Sequence, residues 1–179
     1  NCVRLGVEHK ILDLSSLRVV LGGSSQTDAA VAVPHGHYAA ENMKLTVVPN
    51  RNMMLLASAA AWAVAAKFDT VAYAAHAGDH AQYPDCRQVF IDALASAIAL
   101  CDWSPIALHA PFAAISKADI VKLGAELGVD FAQAWSCYEG GTTHCGRCGT
   151  CYERRLAFEG AGVTDPTDYV DATTRFEQP

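Results

Sequence analysis

The chain has 179 residues, 51% of them hydrophobic and 18% charged, which describes a folded domain with a core and excludes a disordered chain. Its net charge of -6 speaks against a broad nucleic-acid-binding face, which is normally basic. No apolar run is long enough to span a membrane, and no cationic, apolar leader opens the sequence, so a cytoplasmic protein without membrane partners is expected.

Asn1 to Val7 reads as the last turn of a helix, stopped at Gly6. Val7 to Leu14 alternates apolar and polar residues, the pattern of a strand. Leu17 to Leu21 is apolar and runs into Gly22-Gly23-Ser24-Ser25. A glycine pair in that place can wrap an anion with bare backbone amides, but no Gly-Lys-Ser/Thr follows it, and an ordinary Gly/Ser loop is the better reading. His35 and His37, two apart, read as solvated loop residues.

Met53 to Phe68 is rich in Ala, Leu and Met on every side, predicting a buried helix capped by Asn50 or Asn52 with Arg51 at its head. A guanidinium at that position can meet an anion or cap loop carbonyls. Thr70 to Ala75 predicts a buried strand, followed by a loop dense in polar groups: His76, Asp79, His80, Tyr83, Asp85 and Arg87. Ligands of parallel sheets bind beyond the carboxyl ends of strands, so this loop is where substrate is expected. Arg87 to Leu100 predicts a core helix, with Val89, Phe90, Ala93, Leu94, Ala97 and Ile98 inward. Pro105 to Pro111 predicts another strand. Ser116 and Asp119 form a capping pattern for a helix that stops at Gly128, and Lys117 lies in its first turn, either solvated or holding a phosphate. Strands alternating with helices imply an α/β fold, a parallel sheet with helices on both faces.

Residues 136–158 carry four of the seven cysteines: Cys137, Cys145, Cys148 and Cys151. Two Cys-x-x-Cys steps, with Gly146 and Gly149 in the turns, suit the tetrahedral thiolate site of a zinc ion better than a pair of disulfides. A helix from Gly149 to Phe158 and a polar tail containing Pro166 and Pro179 complete the chain.

Several stretches together resemble the 7-cyano-7-deazaguanine synthase family, the pre-queuosine nitrile-forming members of the N-type ATP pyrophosphatase superfamily. They are Val48-Pro49-Asn50-Arg51-Asn52, Gly78-Asp79 through Tyr83-Pro84-Asp85-Cys86-Arg87, Ile115-Ser116-Lys117, and the segment from Ser136 to Phe158. The resemblance implies a Rossmann-like fold of the adenine-nucleotide α hydrolase kind and a ligase that joins ammonia to 7-carboxy-7-deazaguanine at the expense of ATP, with Mg²⁺ as the nucleotide's companion. It implies a structural zinc on Cys137, Cys145, Cys148 and Cys151, and a homodimer. Arg51, Asp85 and Lys117 fall in the family's active-site segments, and with Asp79 and Arg87 of the same loop they form the candidate substrate-binding set. Asp85 is expected to accept from a base edge, and Arg51 and Lys117 to neutralise phosphate or carboxylate. The superfamily's Ser-Gly-Gly-x-Asp-Ser phosphate loop does not occur in this sequence. The expectation is therefore a single α/β domain over 1–179 that lacks its first strand and phosphate loop and binds pyrophosphate poorly. A tRNA-modifying ligase of the same superfamily and a non-catalytic zinc-containing binding module are the alternatives.

Overall fold

The computed structural model describes residues 1–177, so the terminal Pro179 of the tail lies outside it. The chain forms two compact units. One comprises 1–48, 128–155 and the segment from 164 onward; the other comprises 49–127 and 156–163.

The second unit holds the regular structure. Helix α2 (Arg51–Ala66) leads to strand β1 (Thr70–Ala72), helix α3 (Gln88–Ala99), strand β2 (Ala107–His109) and helix α4 (Lys117–Glu126). β1 and β2 pair in parallel, with Val71 opposite Leu108. A parallel pair needs a crossover, and α3 supplies it. This is an α/β unit with a parallel sheet. Its core is Leu56, Ala60 and Ala63 of α2, Val71, Leu94 and Ile98 of α3, and Ile106.

Helical spacing identified the inward faces only in part: Leu94 and Ile98 are buried as expected and Phe90 packs against the core. α2 buries only the stripe Leu56, Ala60 and Ala63, while Met53, Leu55 and Trp62 are exposed. α3 turns Ile91, Leu94 and Ile98 inward and leaves Val89 in solvent. β1 is shorter than expected and buries only Val71, so it is a half-exposed strand. The capping expectation for α4 is met: the Ser116 hydroxyl accepts from the Asp119 N–H at 3.1 Å. That for α2 is not. Asn50 is left-handed (φ 58°) and makes no side-chain cap, and the Asp85 carboxylate instead accepts from the Asn52 N–H at 3.3 Å. A carboxylate serves a helix start as well from a distant loop as from the neighbouring residue.

The first unit is mostly loops. Helix α1 (Cys2–Leu5) ends at a left-handed Gly6, as expected. The expected strand at 7–14 is absent. Val7, Ile11 and Leu12 stay exposed and among the described residues no strand pairs with the segment, so the alternation has no ladder to join. Residues 15–20 form a 3-10 turn. Helix α5 (Gly149–Ala161) gives its first turns to this unit.

Those turns hold the tail. Arg154 is buried, bonding the Asp165 carboxylate at 3.3 Å and the Phe131 carbonyl at 3.0 Å. Arg155 donates to the carbonyls of Ala172 and Thr174 and lies over the rings of Tyr152 and Tyr169. The tail backbone in turn bonds the cysteine segment, Val170 N–H to the His144 carbonyl at 2.9 Å and Asp171 N–H to that of Cys145 at 3.2 Å.

Candidate functional site

The ligand atoms of Cys137, Cys145, Cys148 and Cys151 lie within 4.8 Å of one another, and all four residues are buried. None of the seven cysteines is in a disulfide. A tetrahedral ion with bonds of about 2.3 Å sets neighbouring sulfurs about 3.8 Å apart, so the cluster is of the right size. Backbone amides point at the sulfurs: Cys145 N–H to Cys137 Sγ at 3.4 Å, and Arg147 and Cys148 N–H to Cys145 Sγ at 3.4 and 3.2 Å. Such bonds favour thiolates, while burial pushes the Cys145 thiol up to about 11, so a cation is what would let the set ionise. The donor set fits a soft divalent metal and leaves no position for water.

The two glycines of the turns are needed for different reasons. Gly146 has φ 79°, and a Cβ there would sit 1.8 Å from the Asp171 carbonyl oxygen. Gly149 opens α5, and a Cβ there would meet the Met43 sulfur at 2.5 Å. In the first case backbone closes the space, and no side chain could be accommodated without moving the tail.

The second unit gathers most of the candidate substrate residues near the buried Cys86. Asp79 and Asp85 both raise its pKa, after burial, and Arg51 lowers it, which places all three charges within electrostatic reach; the thiol is pushed up to about 12 and stays protonated. The Arg51 guanidinium lies 5.9 Å from the centre of the Tyr83 ring. His76 is buried, with Nδ1 accepting from the Gly78 N–H at 3.1 Å and Nε2 facing the Asp79 carboxylate at 3.3 Å. Burial and then the Lys117 charge hold His76 below the usual histidine range, so it is neutral with its proton on Nε2. The Lys117 charge thus lies within electrostatic reach of His76. Arg87 differs from the rest: it is exposed, and its Nε donates to the His80 carbonyl at 2.8 Å.

Among known proteins, the family model described as "Queuosine biosynthesis protein QueC" matches residues 1–162. The chain belongs to the QueC family. It is 58% identical over 170 residues to the 7-cyano-7-deazaguanine synthase of Allorhizobium ampelinum, covering 94% of this chain and 72% of that protein. The enzyme of the same name from Methanoregula boonei is 52% identical, with 94% of this chain and 77% of the relative covered. That from Caldicellulosiruptor saccharolyticus is 49% identical, with 94% and 75% covered.

Other residues of this QueC-family chain matter to the geometry and escaped the sequence reading. Tyr73 has a buried hydroxyl with no hydrogen-bond partner among the described residues, and burial, then the neighbouring Cys86 and Asp85, push it up to about 12. Asn52 ties α2 to the loop after β1 through the Asp85 carbonyl (3.5 Å) and Cys86 Sγ (3.4 Å). The Arg154–Asp165 pair joins α5 to the tail, and the only sequence signal for it was an arginine pair beside the last cysteine.

Proposed function

We propose that this protein is an ATP-dependent ligase converting 7-carboxy-7-deazaguanine and ammonia to 7-cyano-7-deazaguanine. The observation that carries the reading is identity of about half or more, over 94% of the chain, to relatives bearing that enzyme's name. A carboxylate resists ammonia because its oxygen is a poor leaving group. Attack of that oxygen on the α-phosphorus of ATP makes an acyl adenylate and expels pyrophosphate. Ammonia then adds at the acyl carbon, AMP leaves with the electron pair and a proton is lost, giving the amide. A second activation removes the amide oxygen and two N–H protons, leaving the nitrile. The reaction thus handles anions throughout, and Arg51 and Lys117 supply the positive charge that such groups need. Asp79, Asp85 and Arg87 complete the proposed substrate-binding set, with Mg²⁺ accompanying ATP.

The metal on the four cysteines is zinc in this reading, and its role is structural, since four thiolates leave no open position. Among the described residues no helix is long and apolar enough to cross a membrane. That observation and the net charge of -6 support a protein of the cytoplasm that acts on a free small molecule. Incubation of the purified protein with 7-carboxy-7-deazaguanine, ATP and ammonia should yield the nitrile, seen by mass, together with pyrophosphate. ATP cleavage that ignores the acid would overturn the proposal.

A further inference from the structure

The cysteine segment does not close over its own ligands. Cys148 and Cys151 have no exposed surface, and among the described residues the apolar side chains packed against the cluster are Val33, Tyr138 and Tyr169. Tyr138 belongs to the segment itself. Tyr169 comes from the tail, beyond the end of α5, so part of the cover over the metal ligands is supplied by chain that the cysteine motif does not include.

The tail is laid directly along the ligand-bearing turns. His144 and Tyr169 form a single parallel bridge, continued by the Val170 N–H to the His144 carbonyl at 2.9 Å and the Asp171 N–H to the Cys145 carbonyl at 3.2 Å. The Asp171 carbonyl fills the space that a Cβ on Gly146 would need, so the tail presses on the turn between Cys145 and Cys148. The Tyr169 ring meets the His144 ring edge-on, with centroids 5.8 Å apart, and its hydroxyl donates to the Asp165 carboxylate at 2.6 Å. Asp165 is in turn paired with Arg154. The cover is therefore held at both of its ends.

Helix α5 carries both the last ligand and the group that fastens the tail. Cys151 and Arg155 are one helical turn apart and share a face. Arg155 donates to the Ala172 and Thr174 carbonyls, and its guanidinium lies 5.4 Å from the centre of the Tyr152 ring and 5.9 Å from that of Tyr169. Bonds from a charged fork are the strong kind, and removing the one side chain removes both. Past α5 the tail forms no helix or strand among the described residues, and Val170 is exposed. A segment held by a few polar contacts opens at a lower free energy than a packed core, so the tail can lift while the rest of the chain stays folded.

An ion on four buried thiolates leaves when a competing ligand reaches it, and the docked tail denies that approach. We infer that residues 165–176 form a strap that gates metal exchange, with Tyr169 as the cover over the cysteine cluster and Arg155 as the latch that holds it down. This gating requires a metal on the four cysteines and no step of the reaction proposed above.

The test compares two rates on the full, zinc-loaded chain: hydrogen exchange at the Val170 and Asp171 amides, which reports lifting of the strap, and transfer of zinc to an excess of a colorimetric chelator. Arg155→Ala should speed both on the order of ten-fold or more, and by a like factor. Tyr169→Ala uncovers the cluster but keeps the Arg155 bonds to the tail carbonyls, and it should speed zinc transfer to a similar degree. Ile106→Ala, in the aliphatic core of the other unit, should change neither rate. Amide exchange that accelerates in Arg155→Ala while zinc transfer does not would overturn the gate, because the strap would then lift without freeing the ion. So would an Arg155→Ala variant in which neither rate moves, or zinc transfer left unchanged by Tyr169→Ala. Zinc transfer raised as much by Ile106→Ala as by Arg155→Ala would also overturn it, making metal loss a consequence of general unfolding.

Discussion

Within residues 49–127 the core cluster is aliphatic, with Leu56, Val71, Leu94, Ile98 and Ile106 closing over a short parallel sheet. Within residues 128–155 the tightest burial belongs to thiols, Cys148 and Cys151 having no exposed surface at all. The first arrangement draws its stability from apolar area and needs nothing from outside the chain. The second brings four potential anions together out of water and is stable only if a cation neutralises them. The two units should therefore fail in different ways.

The largest effect is expected from Cys148→Ala. Metal content should fall from about one ion per chain to near none, with the cysteine segment and the tail that bonds it losing their order, because binding energy at such a site is folding energy. A metal-free protein with unchanged thermal unfolding would break the comparison. Ile106→Ala should act only on the aliphatic unit, costing about 2–5 kcal/mol in denaturant unfolding with metal content untouched. Loss of metal in that variant would show that the two units do not fail separately.

The smallest effect concerns pH. Burial and Lys117 depress the His76 pKa in the folded chain. As pH falls through about 6.5, the unfolded chain takes a proton that the folded chain refuses, so stability present above that pH is lost below it. His76→Gln should flatten the dependence between pH 7.5 and 5.5. An unchanged slope would mean that His76 is not held neutral.

Features set by neighbouring residues were legible in the sequence. Gly6 ends α1 and Ser116 caps α4 because each effect acts within one helical turn. The four cysteines were legible because a metal site compresses its ligands into short spacings. Features set by distant residues were not. The Asp85 carboxylate caps α2 from a loop more than thirty residues away, and no local pattern marks it. Gly146 was legible as a tight-turn residue, which its φ of 79° bears out, but the second constraint on it, the Asp171 carbonyl of the tail, left no local signal. Residues 7–14 alternate as a strand does, but a strand also needs a neighbour, and sequence alternation cannot show whether one is present.

The central claim is that the cysteine cluster is a closed structural clamp and takes no part in bond making. Replacing its ion with Co²⁺ tests that claim most directly. The account predicts the absorption bands of a tetrahedral site of four thiolates, unaltered by 7-carboxy-7-deazaguanine or ATP, together with the same kcat for nitrile formation as the zinc form. A spectrum that shifts on adding substrate, or a kcat and pH profile that follow the identity of the metal, would contradict it.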